Sequence, residues 1–104
     1  MIRDVAAKRY AEAAHLIAHQ DGKLDAWSGA LSAMSSLFGD EQAQALLAST
    51  RVPATDKLSL VEKGLAGADP LVLNLASLLL RRGRTALGPQ VAEAFQELVD
   101  RDKG

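Results

Sequence analysis

The sequence predicts an all-α fold, a six-helix bundle, from three observations. The 104-residue chain is rich in alanine and leucine, which favour helices, and only 4% of its residues are aromatic. Its prolines, Pro53, Pro70 and Pro89, each stand where a helix can begin or break. Between these positions, apolar side chains recur at intervals of three and four residues, which is the period of a helix with one buried face.

Glycine and proline divide the chain into six predicted helices. The first begins at about Arg3 or Asp4 and ends at Asp21, because Gly22 can take the left-handed conformation that stops a helix. Pro89 is compatible with the sixth helix only if it lies in the first turn. The other five helices are predicted at about 23–38, 41–49, 54–66, 70–82 and 85–102.

Aspartates give the clearest start signals. Asp40 is a good N-cap for the third helix, and Asp69 caps the fifth, where Pro70 at the first helical position loses no hydrogen bond. From the second helix on, side chains at helical spacing predict the core. They are Leu24, Trp27, Leu31, Met34, Phe38, Ala43, Leu46, Leu47, Leu58, Val61, Leu65, Val91, Ala94, Phe95, Leu98 and Val99.

Composition excludes several classes of protein. The chain has no cysteine, so it can form neither disulfides nor thiolate metal sites, and this fits a reducing compartment. A formal net charge of −1 gives no general attraction for nucleic acid. The first residues lack the apolar run of a signal peptide, and the apolar run at 71–80 is too short to cross a bilayer. We therefore expect one domain that is not inserted in a membrane.

Two helices carry more apolar surface than one small core needs. In the fifth helix, only Asn74 and Ser77 interrupt the apolar run at 71–80. Such a helix is either the axis of the core or one wall of a groove that a partner helix fills. Asn74 either forms a hydrogen bond in the core or marks the rim of that groove. The first helix has a stripe of small residues and a second apolar stripe beside it: Ala7, Ala11, Ala14 and Ala18, then Ala6, Tyr10, Ala13 and Ile17.

Polar clusters that could carry chemistry have simpler explanations. His15 and His19 have the spacing of a two-histidine metal pair, and Glu12 lies on the same stripe, but the sequence indicates no further ligand from another element. The basic run Arg81-Arg82-Gly83-Arg84 could contact phosphates, yet no aromatic residue lies beside it, and a helix C-terminus explains it. We predict no metal site, no cofactor and no nucleic-acid partner.

Catalysis also has little support in the sequence. There is no glycine-rich phosphate loop and no nucleophile with an evident base, and helix capping explains the carboxylate pair Asp40-Glu41. Trp27 and Tyr10 are more often core residues than a binding platform. We therefore predict a protein that is not an enzyme and that works by binding an amphipathic helix.

Several stretches resemble one known family. Ala7-Lys8-Arg9-Tyr10-Ala11-Glu12, followed by Ala14, resembles the A-R-x-Y-A-x-A opening of the delta subunit of F-type ATP synthases, the oligomycin-sensitivity-conferring protein family. Further stretches agree in order and spacing from about Val5 to Leu98. They are Leu24-Asp25-Ala26-Trp27, Leu46-Leu47 with Val52-Pro53 and Lys57, and Asn74 to Leu80 with Arg82-Gly83-Arg84 and Leu87.

The resemblance implies a role in the stator. The family's N-terminal domain is a six-helix bundle that binds the amphipathic N-terminal helix of an alpha subunit between its first and fifth helices. A C-terminal region joins the b subunits of the peripheral stalk, which keeps the catalytic head from turning with the rotor. The complex would lie at the cytoplasmic face of a bacterial membrane, with this subunit peripheral.

Carried over by position, the resemblance implies a set of groove residues. These are Ala7, Tyr10, Ala11, Ala14, Leu75, Leu78, Leu79 and Arg82. Arg84 matches the family's arginine after glycine, which is expected to be structural. We expect Leu73 and Leu80 to face the core, and Leu75, Leu78 and Leu79 to line or floor the groove.

The chain departs from the family pattern in three places. His15 stands where the family usually has a large apolar or aromatic residue, and Gly88-Pro89 replaces the usual Leu-Pro. The chain also stops near Gly104, where the family continues, so we expect an isolated N-terminal domain. The alternative is an all-helical adaptor that binds an amphipathic helix in an unrelated complex.

Overall fold

The computed structural model describes residues 4–104, so the predicted helix start at Arg3 lies outside the described residues. Over that range the chain forms six α-helices and no strand, which confirms the predicted all-α class. A short 3₁₀ turn, Thr85–Leu87, precedes the last helix. The helices are α1 (Val5–Gln20), α2 (Leu24–Gly39), α3 (Glu41–Ala48), α4 (Ala54–Gly64), α5 (Pro70–Arg81) and α6 (Gly88–Lys103).

Side-chain caps fix the starts of three helices. The carboxylate of Asp4 accepts the N–H of Ala7 at 2.9 Å at the start of α1. Asp40 and Asp69 are the N-caps of α3 and α5, as the sequence predicts. The sixth helix begins later than predicted, because residues 85–87 form the 3₁₀ turn, and Pro89 consequently lies in its first turn.

The last helix is the centre of the packing. α6 packs along both α1 and α2, whereas α5 packs chiefly against α4 and also contacts α2. The largest buried side chains come from α2 and α6, where the rings of Trp27 and Phe95 stack with their centroids 6.5 Å apart. None of the described helices is long and apolar enough to cross a membrane.

The alanine stripe of α1 lies in this core. Ala7, Ala11 and Ala18 have 0% exposure and Ala14 has 3%, and they are the only buried residues of α1. Because α1 packs chiefly against α6, these small side chains let a helix of the same chain come close. Ala7, Ala11 and Ala14 were expected to line the groove for a partner helix, but in the structure the helix that packs on this face is α6.

Gly88 marks another close approach. A Cβ built there would lie 2.6 Å from Cδ2 and 2.9 Å from Cβ of Phe38. The start of α6 therefore has no room for the larger residue that the family pattern would place at this position, because α2 already fills the space.

Candidate helix-binding groove

The two helices expected to form the groove do not pack together over their length. Within residues 4–104, α1 packs on α6 and α2, and α5 packs on α4 and α2. α1 and α5 are joined near one end, where the guanidinium of Arg82 donates a hydrogen bond to the Tyr10 hydroxyl, with Nη1 3.0 Å from Oη. The surface between α1 and α5, with α2 contacting both helices, is the candidate groove.

The side chains of α5 fall into three groups around the helix. Val72, Ala76 and Leu79, at intervals of four and three residues, are fully buried and form the face that packs on the core. One flank carries Leu71, Leu75, Leu78 and Arg82, and the other carries Leu73, Ser77, Leu80 and Arg81. Since Arg82 contacts Tyr10, the first of these flanks is the one on the α1 side.

The α1 side of the groove is the second apolar stripe of that helix. Tyr10 and Ile17 are half-buried and pack against the core, and Ala6 is also half-buried, while Ala13 is exposed. This stripe faces α5, because Tyr10 belongs to it and contacts Arg82. Together with the flank of Leu71, Leu75 and Leu78, it presents two apolar strips on neighbouring helices.

Half of the predicted groove residues remain at this surface. Leu75 and Leu78 are half-buried, and Leu78 is not among the side chains that pack against the core cluster. Tyr10 is half-buried and Arg82 is exposed, and the structure brings these two into direct contact. Tyr10 and Leu75 also pack against the core cluster, so only part of each side chain is accessible to a partner.

The other predicted groove residues lie in the core. Ala7 and Ala11 have 0% exposure, Ala14 has 3% and Leu79 has 0%, so none of them presents a side-chain surface to a partner. On the α1 side, the candidate groove is therefore lined by the stripe that contains Ala6 and Tyr10, and not by the buried alanines. The physical reason is that α1 has only small residues on the face that α6 needs for close packing.

Leu73 and Leu80, the leucines expected to face the core, are half-buried and pack against the core cluster from the flank away from α1. The fully buried positions of α5 are Val72, Ala76 and Leu79. Asn74 is exposed, so it makes no hydrogen bond in the core.

Leu71 is a further leucine on the flank of the candidate groove, and the lining expected from the sequence did not include it. It is 43% exposed and lies one helical turn before Leu75, on the same flank. Its spacing of four residues from Leu75 places the two side chains on one side of the helix. The sequence alone does not show that this side is exposed, because apolar residues lie nearly all round α5.

The histidine pair lies away from the groove, between α1 and α6. His15 Nε2 is 2.6 Å from Oδ2 of Asp102, and its ring meets Phe95 edge-on at a centroid distance of 6.0 Å. The rings of His15 and His19 stack, also at 6.0 Å. Among the described residues, no group of three histidine or carboxylate side chains could hold a metal ion. His15, at a position where the family usually has a large apolar or aromatic residue, thus links α1 to α6.

Comparison with known proteins gives one consistent result. The family model described as ATP synthase delta (OSCP) subunit matches residues 6–104. The ATP synthase subunit delta of Acinetobacter baylyi is 34% identical over 94 residues, which cover 88% of this chain and 52% of that protein. The Methylobacillus flagellatus subunit is 32% identical over 100 residues, covering 94% and 56%. The chain spans about half the length of the curated relatives it matches.

Proposed function

The chain belongs to the ATP synthase delta (OSCP) subunit family, and from this we propose that it acts as a non-catalytic part of the peripheral stalk of an F-type ATP synthase. In this proposal it binds the amphipathic N-terminal helix of an alpha subunit in the groove between α1 and α5. Any connection to the b subunits of the stalk would be made outside these 104 residues. The complex would place the domain at the cytoplasmic face of a bacterial membrane.

One observation carries the proposal: α1 and α5 meet at the Arg82–Tyr10 hydrogen bond and present partly exposed apolar strips on the flanks that face each other. The α5 strip includes Leu71, Leu75 and Leu78, of which Leu71 is 43% exposed. Burying an exposed leucine is worth about 1.5–3 kcal/mol, so a helix laid along the groove would gain from covering this strip. An amphipathic helix with apolar residues at helical intervals has the matching shape.

The polar contact at one end of the groove would help to orient the partner. Arg82 is exposed and its guanidinium has four further N–H donors beyond the bond to Tyr10, about five in all on an arginine side chain. An acidic residue at the corresponding end of the bound helix would accept from it. The rest of the strip is apolar, so this end would fix the direction of the partner while the leucines supply most of the binding free energy.

A connector of this kind needs a rigid body rather than a reactive site. The central position of α6 against both α1 and α2 gives the domain one continuous core. A load applied through the groove would therefore be carried by packed helices. The family match over residues 6–104 favours this role over that of an adaptor in an unrelated complex.

Isothermal titration with a peptide of the alpha-subunit N-terminal helix tests the proposal. We expect saturable binding, and we expect Leu78→Asp to weaken it by at least about tenfold, since a carboxylate would have to be buried under the partner. Leu46→Asp is the matched control, because Leu46 is a 39% exposed leucine on α3, outside the groove.

Thermal unfolding of the same variants separates binding from folding. Leu78→Asp is expected to melt close to the parent chain, because its side chain does not pack on the core cluster. If the peptide does not bind saturably, or if Leu46→Asp weakens binding as much as Leu78→Asp does, the proposal is wrong.

A further inference from the structure

We propose that the cleft between α4 and α5 is a binding site for a small amphiphile that carries an anionic head group on an apolar body. The cleft has a volume of about 950 Å³ and lies between the first half of α4 and the last turns of α5, with the end of α3 as its floor. Small-molecule sites in proteins typically measure about 300–1,000 Å³. This site is separate from the groove, because it uses the other flank of α5.

The floor of the cleft is apolar. Leu47 is 5% exposed and closes the α3 side, and Leu80 is half-buried on the α5 side. Leu58 on α4 is 39% exposed and stands at the wall, where an apolar ligand would cover it. These leucines would cover a hydrocarbon chain or a ring of the ligand. Each Å² of apolar surface removed from water would contribute about 25 cal/mol to the binding free energy.

The polar part of the lining has one sign of charge. Among the ten lining residues, two are cations, Lys57 and Arg81, and none is an acid. Within residues 4–104, neither cation forms an ion pair or a side-chain hydrogen bond. An anionic head group between them would be bound by charge-assisted hydrogen bonds, whereas a cationic one would be repelled.

Further donors stand at the same place. Thr55 and Ser77 bring hydroxyl groups to the lining from α4 and α5. The first turn of α4 also lies at the cleft. Its N-cap, Pro53, has no side chain that could accept hydrogen bonds from the free backbone N–H groups of this turn. The arrangement of an apolar floor with cations and hydroxyl donors favours an amphiphile such as a fatty carboxylate over a neutral or basic ligand.

Titration of the ¹⁵N-labelled chain with decanoate, below its micelle concentration, tests this inference. We expect saturable shifts of the amide signals around the cleft, including those of Lys57 and Ser77. Decyltrimethylammonium has the same chain length with the opposite charge, and we expect it to produce no saturable shift there. The double variant Lys57→Gln, Arg81→Gln should raise the Kd for decanoate about tenfold or more.

Lys63→Gln is the matched control, because Lys63 is an exposed lysine of the same helix that does not line the cleft. Its Kd should stay within about twofold of the parent value, a free-energy change of less than RT. The inference is overturned if the two amphiphiles shift the same signals equally, or if the double variant binds decanoate like the parent. Shifts at the cleft that grow with protein concentration alone would also overturn it, since a second copy would then be the occupant.

Discussion

At the scale of single residues, the start of α6 packs closely against α2. Gly88 is buried, and the nearest atoms to its missing side chain belong to the ring and Cβ of Phe38. The Cβ of Phe38 is fixed to the α2 backbone, so a rotamer change cannot move it away. Close packing of this kind leaves no volume for even one methyl group.

Gly88→Ala is therefore expected to destabilise the chain. The new Cβ would lie 2.9 Å from Phe38 Cβ, and relief would require α2 and α6 to separate, at a cost of about 1–3 kcal/mol. Urea unfolding measures this difference. Gly29→Ala is the control, because a Cβ there meets nothing within 4 Å. Helix propensity should make that variant more stable by about 0.5–1 kcal/mol. Equal effects of the two substitutions would contradict the packing described here.

At the scale of the element, α5 has three faces with different surroundings. Its buried face packs on the core, one flank faces α1 at the candidate groove and the other lines the α4–α5 cleft. Neighbouring leucines consequently differ in role: Leu79 has 0% exposure, whereas Leu78 is half-buried and lies on the groove flank. Two residues adjacent in the chain point about 100° apart on a helix, which is enough to separate core from surface.

The pair gives a direct comparison of stability. Leu79→Ala should lower the free energy of unfolding by about 2–5 kcal/mol, because it leaves a cavity in the core. Leu78→Ala should cost less than about 1 kcal/mol, since the side chain is outside the core cluster. Thermal or urea unfolding of both variants gives the comparison. A larger loss for Leu78→Ala would mean that α5 is rotated relative to the structure.

The sequence predicts where the helices begin better than it predicts which face of each helix is buried. Asp40 and Asp69 act through local hydrogen bonds and Pro70 through its fixed backbone φ, so the starts of α3 and α5 can be found from a few neighbouring residues. Which leucine of α5 faces inward depends on where α4 and α2 lie, and a helix that is apolar nearly all round carries no direction of its own. The stripe of alanines is ambiguous for a related reason, because small side chains suit an internal helix and an external one equally well.

At the scale of the whole molecule, the domain is an elongated plate. Its principal extents are 46 × 29 × 18 Å over the part of the chain that the structure describes. α6 runs through the middle, and α1 and α5 lie on parts of the fold that do not pack on each other along their length. α1 is held by α6 and α2, whereas α5 is held by α4 and α2, and the surface between α1 and α5 is the one that we assign to a partner helix.

The proposed groove and the α4–α5 cleft would bind ligands of different chemistry. The groove would bind a protein helix through leucines and one arginine, and the cleft would bind a small anion through Lys57 and Arg81. Because the two surfaces lie on opposite flanks of α5 and have no lining residue in common, we expect substitutions on one flank to leave binding at the other unchanged.

The most direct test of the central claim is the map of amide chemical shifts when the ¹⁵N-labelled chain is titrated with the alpha-subunit N-terminal peptide. The account predicts saturable changes, largest on the facing flanks of α1 and α5, around Tyr10, Leu71, Leu75 and Leu78, with the signals of the α4–α5 cleft unchanged. Saturable changes centred on any other surface, or none at all, would contradict it.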